Sequence, residues 1–242
     1  MPRFFIETPL HQDLLGTTIT LTDTIYHHWC KVLRAKIGDS ATLFDGQGGE
    51  YDATLVSVDK KSAKVMLNNY YPLNRTPAFE ATIGLVMSRG ERMDYAIQKA
   101  CEMGVHRIQL LTSERCQAHL KYERDFKKID HWQGVAIAAC EQCGLNLIPS
   151  IAPPLALQTW VATCQDTLKL VLALADGNPI FNTSLPKNIA LLIGAEGGLA
   201  PSELDFAIQH GFMPWTIGER VLRTETAPVV ALSALHVLSS LS

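Results

Sequence analysis

The stretch ALLIGAEGGLAPSELDFAIQHGFMPWTIGERVLRTETA, residues 190–227, decides the reading of the fold. Residues 191–194 form a short apolar run suited to a buried strand, and Gly197 and Gly198 let the backbone turn sharply and approach a ligand closely. Pro201 sits where the first turn of a helix tolerates proline. The pattern then recurs, with a strand over 212–217, a loop over 218–226, and an apolar helix over 227–241 that carries Pro228 in its first turn. Two such loops at the ends of adjacent strands form a crevice, which is where open α/β sheets bind ligands.

Outward from this stretch the same alternation continues. Residues 82–87, 106–112 and 168–174 read as strands and 122–143 as a long helix, with a loop and helix over 153–164. After the first of these strands, Met93, Ile97, Ala100, Cys101 and Met103 fall close to helical spacing, and Gly104 supplies a stop. Alternating strands and helices predict a mostly parallel sheet. Residues 70–79, with Pro72, Asn74 and Pro77, read as a linker. Ahead of it, β-branched and aromatic runs at 3–6, 17–21, 41–44, 51–58 and 63–67, separated by Asp-Gly-Gln-Gly-Gly and Asp-Lys-Lys-Ser turns, predict a small barrel. One helix over 24–35 interrupts the strands, with Ile25, Trp29, Val32 and Leu33 on its inner face and Asp23 or Thr24 as N-cap.

Composition sets the bounds. A chain of 242 residues that is 47% hydrophobic can build one large core or two smaller ones. No apolar run approaches the roughly 20 residues that span a bilayer, and MPRFFIETPL lacks the plan of a signal peptide, so a cytoplasmic protein with no membrane partner is expected. The six cysteines are expected to be reduced. Cys140 and Cys143 form a CxxC inside a helical pattern with no second pair at zinc-ribbon spacing, and His27, His28, Trp29 and Cys30 read as helix surface and core, so no metal site is expected. The net charge of −3 gives no sign of nucleic acid. Residues 1–72 carry 7 Lys/Arg against 8 Asp/Glu and residues 73–145 carry 10 against 9, so any RNA-binding face has to be assembled by folding.

IGAEGG at 193–198 and IGERVLRTETA at 217–227 resemble the RsmE family of SPOUT methyltransferases. So do VLRAKIGD at 32–39, MSRGERMDYAIQKACEMGV at 87–105, SERC at 113–116 and AACEQCG at 138–144. The resemblance implies an α/β SPOUT trefoil-knot methyltransferase domain over 72–242, preceded by a small PUA-like β-barrel RNA-binding domain over 1–71. It implies S-adenosylmethionine as cofactor and methylation of ring nitrogen 3 of a uridine in 16S ribosomal RNA, alone or in the small ribosomal subunit, by a homodimer. Two positions depart from the family: Ala195 stands where proline is common and Leu145 where arginine is common. Alanine can adopt proline's backbone angle, whereas leucine cannot replace a guanidinium.

On that resemblance the cofactor residues are Leu172, Ile193, Gly194, Glu196, Gly197, Gly198, Ile217, Gly218, Val221, Leu222 and Thr226. Backbone groups freed by the glycines read the adenine edge, and the aliphatics wall the pocket. Methylating the uracil nitrogen requires loss of a weakly acidic proton and stabilisation of charge on the flanking carbonyls. Arg223 suits the second task, and Glu141 or Glu196 the first. Arg34, Arg89, Lys99 and Arg115 are candidate RNA contacts. Helix 227–241 is apolar around much of its circumference, which predicts burial on more than one face and a two-fold dimer built on it. Three other readings stand beside this one: a nucleotide-binding protein, although GxxxxGK[ST] and GxGxxG motifs are missing; a non-catalytic RNA-binding protein of the same fold; and a SPOUT enzyme acting on another RNA site.

Overall fold

A computed structural model describes residues 1–88, 90–116, 122–174 and 184–240. The chain divides into two compact units, Met1–Thr76 with Cys140–Ile148, and Pro77–Ala139 with Pro149–Ser242.

The first unit is a five-stranded mixed sheet of β1 (Arg3–Phe5), β2 (Thr18–Thr20), β3 (Ser40–Phe44), β4 (Glu50–Val58) and β5 (Ala63–Tyr71), in the order β1-β3-β4-β5-β2. Only the β1–β3 pair is parallel. Period-two alternation sets its inner face: Ala63, Val65 and Leu67 of β5 are buried with Tyr51, Ala53 and Leu55 of β4, while Lys64 and Met66 point out. A short helix, α1 (Asp23–Tyr26), closes this core with Ile25 and Trp29. Its cap is Thr22, whose Oγ1 accepts from the Ile25 amide at 3.4 Å, one residue before the expected Asp23 or Thr24.

The helix also does not continue regularly to residue 35. From His27 to Val32 it widens into a π-helix, and the Leu33 amide reaches back to the His28 carbonyl at 2.9 Å. The wider turn changes the phase of the side chains, so Val32 and Leu33, expected on the inner face, are 59% and 52% exposed.

The last turn of the long helix and the segment after it, 140–148, complete the first unit. Asn146, fully buried, donates to Glu50 Oε2 at 3.0 Å and accepts from Arg3 at 2.7 Å. Leu145 packs with Phe44 and Cys140, so the departure from arginine here fills an apolar niche.

The second unit is a six-stranded, wholly parallel sheet in the order β11-β9-β10-β6-β7-β8. Its strands are β6 (Glu80–Val86), β7 (Arg107–Thr112), β8 (Ser150–Ala156), β9 (Leu168–Leu172), β10 (Asn188–Ile193) and β11 (Met213–Trp215). Between them run α2 (Glu91–Glu102), α3 (Tyr122–Cys143), α4 (Leu157–Thr163) and α5 (Pro201–Gln209), with α6 (Ala227–Ser240) last. Strands buried on both faces are apolar throughout, which is why residues 189–193 of β10 are all buried. Residues 153–156, expected as loop, belong to β8. Pro153 and Pro154 are tolerated there because β8 is an edge strand, where a missing N–H breaks no central ladder.

Candidate active site

β9, β10 and β11 are neighbours at one side of the parallel sheet, and their C-terminal residues Leu172, Ile193 and Trp215 open on one cavity of about 320 Å³. Leu199, Leu204, Ile217 and Leu222 extend its apolar wall, and Gly194, Ala195, Glu196 and Gly198 form one lip. Arg220, Val221 and Thr224 form another.

The loop 194–199 is folded tightly on itself. The Gly198 amide donates to the Ala195 carbonyl at 2.8 Å, and Gly198 sits at φ +67°, the left-handed region open to glycine. A Cβ on Gly194 would lie 3.0 Å from the Gly198 carbonyl carbon and 3.1 Å from the Leu199 nitrogen. One on Gly197 would meet only the Arg115 side chain, at 3.6 Å. Within the loop, the tightest backbone-to-backbone approach is therefore at Gly194.

Three contacts from outside fix this loop. Arg92 pairs with Glu196 at 2.5 Å, and Arg115 donates to the Gly197 carbonyl at 2.9 Å. The buried Glu203 carboxylate accepts from the amides of Ala200 and Glu114, joining the start of α5 to the turn that carries Arg115. Burial works to raise the pKa of Glu196, but hydrogen bonding to its own amide and to Arg92, with the Arg92 charge, outweighs it and leaves the carboxyl lowered.

The third loop presents Arg223 76% exposed, with its guanidinium 3.8 Å from Glu225. The Thr226 amide turns back onto the Arg223 carbonyl at 2.9 Å, and Gly218 takes φ +74°; neither Thr226 nor Gly218 lines the cavity, and nor does Gly197. Thr224 does line it and is only 4% exposed, yet its Oγ1 has no hydrogen-bond partner among the described residues. A buried hydroxyl without a partner is costly unless a ligand supplies one.

Of the sequence-expected residues, Leu172, Ile193, Gly194, Glu196, Gly198, Ile217, Val221 and Leu222 line one cavity. Glu141 belongs to the first unit, where its carboxylate accepts from the Phe5 amide at 2.9 Å and burial raises its pKa. Lys99 is held by Glu102 at 2.6 Å, and Arg34 lies exposed in the first unit. Arg89 is outside the described residues. Sequence reasoning missed Trp215, Leu199, Leu204, Arg220 and Thr224; the end position of Trp215 in its strand, matching Leu172 and Ile193, was the available signal.

Comparison with known proteins bears directly on this geometry. A family model described as an RNA methyltransferase domain matches residues 74–236, and one described as an RNA methyltransferase PUA domain matches residues 21–67. The ribosomal RNA small subunit methyltransferase E of Buchnera aphidicola (subsp. Acyrthosiphon pisum) is 33% identical over 98% of this chain and 94% of its own. The structure of a Neisseria gonorrhoeae protein of that name, bound to S-adenosyl methionine, superposes with a TM-score of 0.90 at 32% identity over 98% of both chains. A Legionella pneumophila methyltransferase, in complex with the bound cofactor SAM, superposes with a TM-score of 0.91 at 36% identity over 97% of this chain and 96% of the other.

Proposed function

Because this chain belongs to the ribosomal RNA small subunit methyltransferase E family, we propose that it transfers the methyl group of S-adenosylmethionine to ring nitrogen 3 of a uridine in 16S ribosomal RNA. The fold is an α/β SPOUT trefoil-knot methyltransferase domain following a PUA-like domain. The observation that carries the function is the cavity at the ends of β9, β10 and β11. It combines an aliphatic and indole wall for a flat apolar ring, a lip of backbone polar groups for heteroatoms, and the Thr224 hydroxyl, which has no hydrogen-bond partner among the described residues. These features fit the cofactor. Leu172, Ile193, Ile217 and Leu222 would flank it, the 194–198 backbone and Thr224 would hydrogen-bond to it, and it supplies an electrophilic methyl group.

The chain's own part is to orient the uracil and handle its proton. Arg223 is exposed and paired only loosely, so its guanidinium is available to two-donor contact with a uracil carbonyl, where negative charge develops as the proton leaves. Glu196, kept ionised by its neighbours, is the acceptor on the cofactor side. Glu141 is assigned instead to holding β1. Arg115 and Lys99 supply positive charge for the RNA backbone.

The active unit is a cytoplasmic homodimer in this reading, with residues 1–71 as the RNA-binding domain and 72–242 as the catalytic one. The dimer is supported by α6, whose buried residues Ala231, Leu232 and Leu235 occupy one face while Val229 and Val230 stay half-buried and Val237 is 59% exposed. No helix among the described residues is long and apolar enough to cross a membrane. Mass spectrometry of 16S ribosomal RNA from cells with and without the gene tests the reaction. A uridine 14 Da lighter in the deleted strain, restored by the wild-type chain, supports it; identical spectra overturn it.

A further inference from the structure

We propose that the segment 31–37 of the first unit grips unpaired RNA, with Val32, Leu33 and Ile37 against base faces and Lys31, Arg34 and Lys36 along the backbone. The proposal rests on the reading of the chain as an RNA methyltransferase and adds to it a surface and a mode of contact.

The segment is anomalous in several independent ways. Val32, Leu33 and Ile37 are 59%, 52% and 66% exposed, while Ile25 and Trp29, about two turns and one turn before Val32, are 3% and 2% exposed. A regular helix would have carried Val32 and Leu33 onward with that buried face. A π-helical bond ends it instead, from the Leu33 amide to the His28 carbonyl, and the Ala35 amide closes the turn on the Trp29 carbonyl six residues back. Arg34 then enters the left-handed region at φ +58°, which a non-glycine residue adopts only at a cost. π-turns and retained backbone strain concentrate at functional positions.

The presentation is fixed rather than frayed. The Gly38 amide donates to the Leu55 carbonyl at 2.8 Å, the Leu55 amide to the Asp39 carbonyl at 2.9 Å, and the Lys36 amide to the Asp39 carboxylate at 2.8 Å. Three large aliphatics are thus held in solvent on a stiff turn.

Charge selects the occupant. Lys31, Arg34 and Lys36 interleave with the aliphatics, and all three are exposed; Lys31 Nζ stands 5.1 Å over the Tyr26 ring. The core of a protein interface is depleted in lysine, whereas alternating cations match a phosphate backbone. Aliphatic side chains can reach base faces only where the bases are unstacked, as in loops, bulges and ends of RNA.

The experiment measures RNA affinity of the full chain by fluorescence anisotropy. The probes are an RNA hairpin with an unpaired loop and a blunt duplex of equal length, each at several salt concentrations. Leu33→Ala with Ile37→Ala should weaken hairpin binding about tenfold, leave duplex binding within about twofold, and leave the salt slope unchanged. Lys31→Gln with Lys36→Gln should weaken both RNAs and flatten the salt slope by about two. Circular-dichroism spectra and thermal unfolding unchanged in both variants show that the first unit, which carries the substitutions, is folded. Hairpin affinity unaffected by the aliphatic pair overturns the proposal. So does a change of oligomeric state in that variant with RNA affinity intact, which would assign the patch to protein contact. Failure of the wild-type chain to bind either RNA would overturn the methyltransferase reading itself, separately from the role of the aliphatics.

Discussion

The Arg92 guanidinium donates to the Glu196 carboxylate at 2.5 Å, tying the first turn of α2 to the glycine loop that forms one lip of the cavity. The two residues are 47% and 30% exposed, so the pair adds little to global stability. Its effect is local: it holds the loop and keeps the carboxylate ionised.

Arg92→Gln should therefore leave thermal stability within about 1 kcal/mol. The folded pKa of Glu196 is lowered in the wild type, so removing the cation moves it up, and the acid limb of the pH–rate profile should shift to higher pH. An unshifted limb would show that Glu196 does not titrate in the reaction.

Gly194→Ala should weaken S-adenosylmethionine binding by tenfold or more, since the new methyl group meets backbone that cannot move without reshaping the loop. Gly197→Ala should bind within about twofold of wild type, because its methyl meets only the Arg115 side chain at ordinary contact distance. Calorimetric titration of the two variants checks the pair; the reverse order would mean that the loop is built differently.

Arg223→Lys should lower turnover on the order of 100-fold to 1,000-fold with cofactor affinity little changed. Lysine keeps the charge but not the planar pair of donors. Single-turnover rates with saturating RNA make the measurement, and wild-type rates would remove Arg223 from the chemistry.

Glu50 accepts from Arg75, Asn146 and Arg3, and against the opposing effect of burial these partners lower its carboxyl from 4.5 to about 2. A depressed carboxylate stabilises the fold above about 4.5 and loses that contribution as pH falls toward about 2. The amount is on the order of 3 kcal/mol. Urea unfolding between pH 6 and pH 2.5 should show the decline in the wild type and a flatter, lower curve in Glu50→Gln.

Val230→Asp with Val237→Asp should convert a particle of twice 26.7 kDa into one of 26.7 kDa in light scattering, with loss of methyl transfer. A wild-type chain that is active at 26.7 kDa would remove the dimer and any shared site with it.

β6, β7, β9 and β10 were readable because parallel strands covered on both faces are predominantly apolar and rich in Ile, Leu and Val, interrupted only singly, as by Gln109 and Lys169. β8 was hidden by Pro153 and Pro154, which look like a loop until the strand is known to lie at an edge. Leu172, Ile193, Ile217 and Leu222 were found through their positions at strand ends and in the glycine-marked loops. Arg92 was not, because an ion pair across 104 positions leaves no local pattern. The exposure of Val32 and Leu33 was equally invisible: their spacing fits an α-helical face, and only the change to i−5 bonding turns them outward.

The buried Asn146 reaches Glu50 across 96 positions of chain. On the ribosome, at about 5–20 residues per second, Asn146 is made roughly 5 to 20 s after Glu50. The Asn146 bonds to Arg3 and Glu50 thus wait until all of β6, β7 and α3 has been synthesised. Order of synthesis and order of completion are therefore not the same in this protein. A chain made past residue 76 but short of residue 140 has every strand of the sheet and still lacks the segment that completes its unit.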